Sequence, residues 1–141
     1  MSGYWIVVAS ASRARFFEAK GKDCEMREIV TLTNPFSRQH EGELVSDRKG
    51  HAISSTTGGH SLGGEKDAKR HEADQFARMV CERLEQGRND AAYGEFYVIA
   101  APQFLGQLRQ HMSKPLQSLV GQEYAKDLTT ASEEQIRAQL M

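Results

Sequence analysis

The residues best equipped for chemistry cluster in one stretch, roughly 34 to 66, where apolar side chains become scarce and Gly, His and charge accumulate. Two glycine pairs, Gly58-Gly59 and Gly63-Gly64, are followed directly by His60 and Glu65. Paired glycines permit backbone geometry closed to other residues, so bare amides can approach a phosphate or an ester carbonyl as anion donors. His60 can hydrogen-bond RNA or exchange a proton near neutral pH. Arg48 and Lys49 lie in the same stretch, and Lys66, Lys69 and Arg70 follow it. These cations suit phosphate, arginine through its planar fork. Glu65, Asp67 and Glu72 interleave with the last group, a pattern that also fits an ordinary solvated helix surface.

Other chemistries fit less well. No Gly-Lys-Ser/Thr follows the glycines, so this is not a nucleotide-hydrolase phosphate loop. His40, His51, His60 and His71 are spaced too widely for a recognised metal motif, and no cofactor or metal is expected. A two-metal nuclease needs converging carboxylates, one of them on the first strand. Residues 4–9 contain no acid, and the fourth strand offers only Glu95 at its beginning. An ester or peptidyl-ester hydrolase, with loop amides as oxyanion donors and His60 or His51 as base, is the alternative reading. It lacks a nucleophile elbow.

The elements that must position these residues read as follows. Residues 4–9 are a continuous β-branched and aromatic run, the mark of a strand buried on both faces. Short turns join it to strands at 14–19 and 24–33, giving an antiparallel meander that Asn34-Pro35 stops. After the 34–66 loop, Ala73, Phe76, Ala77, Val80 and Leu84 form the apolar stripe of a helix beginning near Glu65 and stopping at Gly87. A buried strand over 95–101 follows. Pro102 then opens a short helix with Phe104, Leu105, Leu108 and Met112 as its apolar face, Gly106 permitting close packing, and Lys114-Pro115 ending it. Residues 119–125 suit a weaker strand, and Ser132 with Gln135 makes a capping box for a last helix through Leu140. The order β-β-β-α-β-α-β-α predicts an α/β fold with a mixed five-strand sheet and helices packed on it, the element order of the ribonuclease H-like topology.

The 141 residues fit a single domain, 1–141. Lys+Arg numbers 18 against 19 Asp+Glu, which denies the chain the overall basicity of a DNA-coating protein. The start carries no basic n-region and no apolar run reaches membrane length, so a cytoplasmic chain with no membrane partner is expected. Cys24 and Cys81 are then reduced, buried thiols.

Ala101-Pro102-Gln103-Phe104-Leu105-Gly106-Gln107-Leu108-Arg109 resembles a signature of the bacterial host-attachment protein family. So do Ser46-Asp47-Arg48-Lys49-Gly50, Lys126-Asp127-Leu128-Thr129, and Trp5-Ile6-Val7-Val8-Ala9 followed by Arg13-Ala14-Arg15. The family is named for a phenotype and is itself similar to the central domain of archaeal and eukaryotic class-1 peptide-release factors, a ribonuclease H-like fold. Their loop after the third strand carries Gly-Gly-Gln, whereas the corresponding loop here carries Gly58-Gly59-His60 and Gly63-Gly64-Glu65. The resemblance implies a ribosome- or RNA-associated domain whose loop is a contact surface rather than a release catalyst. Its contacts would be Arg48, Lys49, Gly58, Gly59, His60, Gly63, Gly64, Lys66 and Arg70. A protein-interaction module acting on attachment indirectly is the remaining alternative. Oligomeric state is left open.

Overall fold

The computed structural model describes residues 3–20, 26–36 and 58–140, with residues 58–66 described by their backbone alone. Its elements are β1 (Tyr4–Ala9), β2 (Arg13–Ala19), β3 (Arg27–Thr33), α1 (Gly58–Asn89), β4 (Glu95–Ala100), α2 (Pro102–His111), α3 (Lys114–Gln117), β5 (Val120–Ala125) and α4 (Glu133–Leu140). The five strands form one mixed sheet in the order β3-β2-β1-β4-β5. β1 runs antiparallel to β2 and β2 to β3, whereas β1–β4 and β4–β5 are parallel. The expected mixed five-strand sheet is present.

Both faces of the central strands are buried, which explains their unbroken apolar runs. Trp5, Val7, Phe96 and Val98 face α1 and α2, meeting Phe76, Val80 and Leu84 of α1 and Phe104, Leu105 and Leu108 of α2. Ile6, Val8, Phe17 and Ile99 face the other way, against Ile136 of α4. Each such buried side chain contributes roughly 1.5–3 kcal/mol. The capping box at α4 forms as expected: the Gln135 amide donates to Ser132 Oγ at 3.2 Å and the Ser132 amide to Gln135 Oε1 at 3.0 Å.

Three expectations about boundaries are corrected. First, α1 begins at Gly58 and not near Glu65, so Gly58, Gly59, His60, Gly63, Gly64 and Lys66 belong to its backbone and not to a loop. A glycine opposes an α-helix by only about 1 kcal/mol, and extending an existing helix adds one hydrogen bond per residue. Second, Gly87 does not end α1. The left-handed residue is Ala91, at φ 55. The Ala92 amide bonds back to the Gly87 carbonyl at 2.9 Å and the Ala91 amide to the Arg88 carbonyl at 3.0 Å, the two bonds of a Schellman cap. Third, Lys114-Pro115 opens a further helical turn, α3, capped by Ser113 Oγ accepting the Leu116 amide at 3.2 Å. Proline suits the first turn of a helix as well as it ends the preceding one.

One carboxylate locks the end of α1 to the α2–α3 junction. Glu85 accepts from Arg88 Nε at 2.7 Å and from Ser113 Oγ at 2.7 Å. These hydrogen bonds, the Arg88 one first, hold its carboxyl below the usual range. A carboxyl lowered in the fold contributes stability that is present above its unfolded pKa and lost as pH falls through the lowered value. Glu85→Gln should therefore lower the melting temperature at neutral pH and make its decline on acidification shallower. A pH series of melting curves with equal slopes for both chains would contradict this.

Candidate functional site at the carboxyl ends of the central strands

β1 and β4 lie side by side and parallel, and their exits diverge. β1 turns back through residues 10–12 into β2, and β4 passes through Ala101 into α2. Divergent exits at the carboxyl ends of adjacent parallel strands leave a crevice, where open α/β sheets take their ligands. Here it is an open cleft of about 390 Å³, lined by Ala11 and Ala101 from the two exits, by Lys69, Arg70 and Ala73 from α1, and by Gln103, Phe104 and Gln107 from α2.

Its frame is fixed by backbone bonds. The Ala101 amide donates to the Ala9 carbonyl at 3.2 Å, and the Ser10 amide to the Arg13 carbonyl at 2.8 Å. Asn34, buried at the end of β3, donates from Nδ2 to the Ala11 carbonyl at 2.8 Å and to the Glu72 carbonyl at 3.3 Å, tying the meander to α1. Across the cleft, Gln107 Nε2 donates to the Arg70 carbonyl at 3.2 Å.

The polar character is one-sided. Lys69 and Arg70 are exposed. α2 has Ala101 at its N-cap with no side-chain cap and Pro102 at its first turn, and its first helical bond runs from the Leu105 amide to the Ala101 carbonyl. The Gln103 and Phe104 amides are thereby left without intrahelical acceptors. Two side-chain cations and the positive end of a helix thus share one opening, an arrangement that favours an anion.

Of the residues expected to make contacts, Arg70 lies on this cleft. Gly58, Gly59, His60, Gly63, Gly64 and Lys66 lie on the N-terminal backbone of the same helix. Arg48 and Lys49 lie outside the described residues. Ala101, Gln103 and Gln107 were missed as site residues; the available signal was Ala101-Pro102, a helix start with no Ser, Thr, Asp or Asn to cap it.

Hydrolytic and metal chemistry find little footing among the described residues. His111 Nε2 pairs with Asp74 Oδ1 at 2.8 Å while Ser113 is held by Glu85, so imidazole and hydroxyl are taken by different acids. Burial pushes the Cys81 thiol up to about 12, so it packs as an inert apolar group. No group of three or more His, Cys, Asp or Glu converges among the described residues. Glu95 stands at the start of β4, the end of the strand away from the cleft.

Over residues 5–140 the chain matches the profile of a family described as "Protein required for attachment to host cells". The chain belongs to this family. The resemblance drawn from the sequence motifs is borne out at that level. An uncharacterized protein of Rickettsia prowazekii (strain Madrid E), RP470, is 42% identical over 65 residues, covering 45% of this chain and 41% of that relative. Among solved structures, a chain of a PilM-PilN type IV pilus biogenesis complex aligns with 97% of this chain and 41% of its own length, at a TM-score of 0.41 and 16% identity. No helix among the described residues is long and apolar enough to cross a membrane.

In this member of the family the family-like motifs divide between frame and cleft. Arg15 Nη1 donates to the Thr129 carbonyl at 3.2 Å and to the Ala131 carbonyl at 2.8 Å, while Asp127 Oδ1 accepts the Thr129 amide at 3.1 Å. The Arg13–Arg15 and Lys126–Thr129 motifs thus meet as a clamp between β2 and the segment entering α4. In the Ala101–Arg109 motif, Phe104, Leu105 and Leu108 are core, and Arg109 Nε binds Glu123 Oε1 of β5 at 2.8 Å. The Ser46–Gly50 motif lies outside the described residues.

Gly106 departs from expectation: the space a side chain would take there is open, since a Cβ built on it meets no neighbouring atom within 4 Å. With no contact to lose, Gly106→Ala should gain the helical preference of alanine and stabilise the fold by up to about 1 kcal/mol. A denaturation midpoint that falls instead would show that the position needs its glycine.

Proposed function

We propose that this host-attachment family domain is a cytoplasmic RNA-contacting module that takes phosphates of the backbone, on the ribosome, in the cleft between α1 and α2. The observation that carries the reading is the placement of Lys69 and Arg70 opposite the uncapped start of α2 across one opening. Side-chain cations neutralise phosphates and release counterions, and first-turn amides supply directed donors. The chain's near-neutral balance makes this a local contact, not a coating surface.

The finer fold assignment belongs to the same proposal. The strand order β3-β2-β1-β4-β5, antiparallel on one side of β1 and parallel on the other, supports a ribonuclease H-like fold and kinship with the central domain of class-1 release factors. On that kinship, the segment of Gly58, Gly59, His60, Gly63 and Gly64 is a contact surface leading into the cleft, and Arg48, Lys49 and Lys66 add phosphate contacts. His60 and Glu65 stand where those factors carry glutamine, which favours a contact role for the segment.

Co-sedimentation with ribosomes tests this. Binding at low salt that falls steeply as salt rises is the expected result. A protein that stays in the supernatant at low salt with empty, stalled and translating ribosomes alike would end the ribosome reading.

A further inference from the structure

Among the described residues, the sheet face away from α1 and α2 is covered by α4 through buried Ile136, with Leu128, Ala131 and Leu140 partly buried beside it. Beside that contact three tyrosines step across three strands. Tyr97 of β4 pairs with Ile6 of β1, two residues beyond Tyr4, and Tyr124 of β5 pairs with Ile99, two residues beyond Tyr97. All three flank the core of Ile6 and Ile99 and all are half-buried, with part of each side chain open. The Tyr4 and Tyr97 rings meet at 5.2 Å with planes inclined by 47°. Tyr97 lies over Gly121 of β5, where any Cβ would strike its ring, so this glycine makes room for the aromatic. The Tyr124 hydroxyl donates to Gln122 Oε1 at 2.7 Å.

Charge stands at both ends of this row, Glu95 beside Tyr97 and Lys126 two residues beyond Tyr124. Glu95 is exposed at the start of β4, its Oε1 and the Tyr97 ring both lying over Gly121, and burial together with this neighbouring carboxylate raises the Tyr97 phenol above its ordinary range. Aromatic faces carry negative potential and a carboxylate adds to it, so the surface attracts a cation with a flat, weakly hydrated body. A guanidinium fits both parts, stacking on a ring while forking onto the carboxylate. A nucleic-acid strand fits poorly at the Tyr97 end, because Glu95 repels phosphate there, while Lys126 stands at the far end of the row with its Nζ on Gln139 at 2.8 Å.

We propose that the Tyr4, Tyr97 and Tyr124 face, with Glu95, is a docking surface for an arginine-bearing extended segment of a partner protein. It lies on the opposite face of the sheet from α1 and α2, so its occupancy is independent of the cleft.

Fluorine NMR of the full chain carrying fluorotyrosine reads this surface directly, with single Tyr→Phe variants assigning the signals. The probes are a capped Gly-Ser-Arg-Ser-Gly peptide, its citrulline counterpart and hexauridylate. The arginine peptide should shift the Tyr97 and Tyr124 signals. Citrulline should bind at least about fivefold more weakly, and so should the arginine peptide to a Glu95→Gln variant, which alters an exposed side chain. Equal responses to arginine and citrulline would overturn the proposal. So would shifts from hexauridylate in place of the peptide, or no shift from either at millimolar concentration.

Discussion

Gly87→Ala will destabilise the protein by about 1–3 kcal/mol, the opposite of what alanine does at an unconstrained helical glycine. A Cβ at this position would lie 2.7 Å from Trp5 Cη2, 2.8 Å from Tyr93 Cε2 and 2.9 Å from Trp5 Cζ3. Both rings are buried, and they meet at a centroid distance of 4.8 Å with planes inclined by 44°. Tyr93 is fixed further by its hydroxyl, which donates to the Leu84 carbonyl at 2.5 Å. Neither ring can retreat without breaking that bond or displacing Phe16 and Phe96, which pack edge-on against Trp5 and Tyr93. The helical preference of alanine, about 1 kcal/mol, is too small to offset the overlap. Urea denaturation of Gly87→Ala beside Gly106→Ala checks both signs at once: the first midpoint should fall and the second rise.

The second large effect concerns the cleft. Reversing its two α1 cations, Lys69→Glu with Arg70→Glu, should weaken single-stranded RNA binding on the order of tenfold to a hundredfold at ~100 mM salt. Both side chains are exposed and lie outside the buried core, so the melting temperature should change little. Weakened binding with an unchanged melting curve assigns the loss to the surface. Affinity unchanged by the double reversal would remove the cleft from the interface.

What the sequence made legible, and what it hid, follows from the range of each interaction. β1 and β4 announce themselves because strands buried on both faces must be apolar at every position, as in residues 5–9 and 98–100. The α4 start is equally local, with Ser132 and Gln135 carrying their own hydrogen bonds. Gly87 misled because glycine serves two needs, positive φ and room, and its identity does not say which applies. The need here is room for Trp5 and Tyr93, set by a tertiary contact, while the left-handed position fell to Ala91. The first turns of α1 were hidden by propensity: four glycines read as loop, yet the helix runs through them. For the cleft, Arg70 was visible as a member of a basic cluster. Gln103 and Gln107 were not, because they matter only once β4 delivers α2 beside the exit of β1.

The central claim, that RNA phosphates sit between α1 and α2, is tested most directly by photocrosslinking. RNA carrying 4-thiouridine is bound to the full chain, irradiated, and the attached peptides are mapped by mass spectrometry. The predicted result is attachment to peptides containing Lys69–Ala73 and Gln103–Gln107, lost on competition with unlabelled RNA and diminished by the double charge reversal. Attachment confined to Tyr97 and Tyr124, on the opposite face of the sheet, would contradict the account.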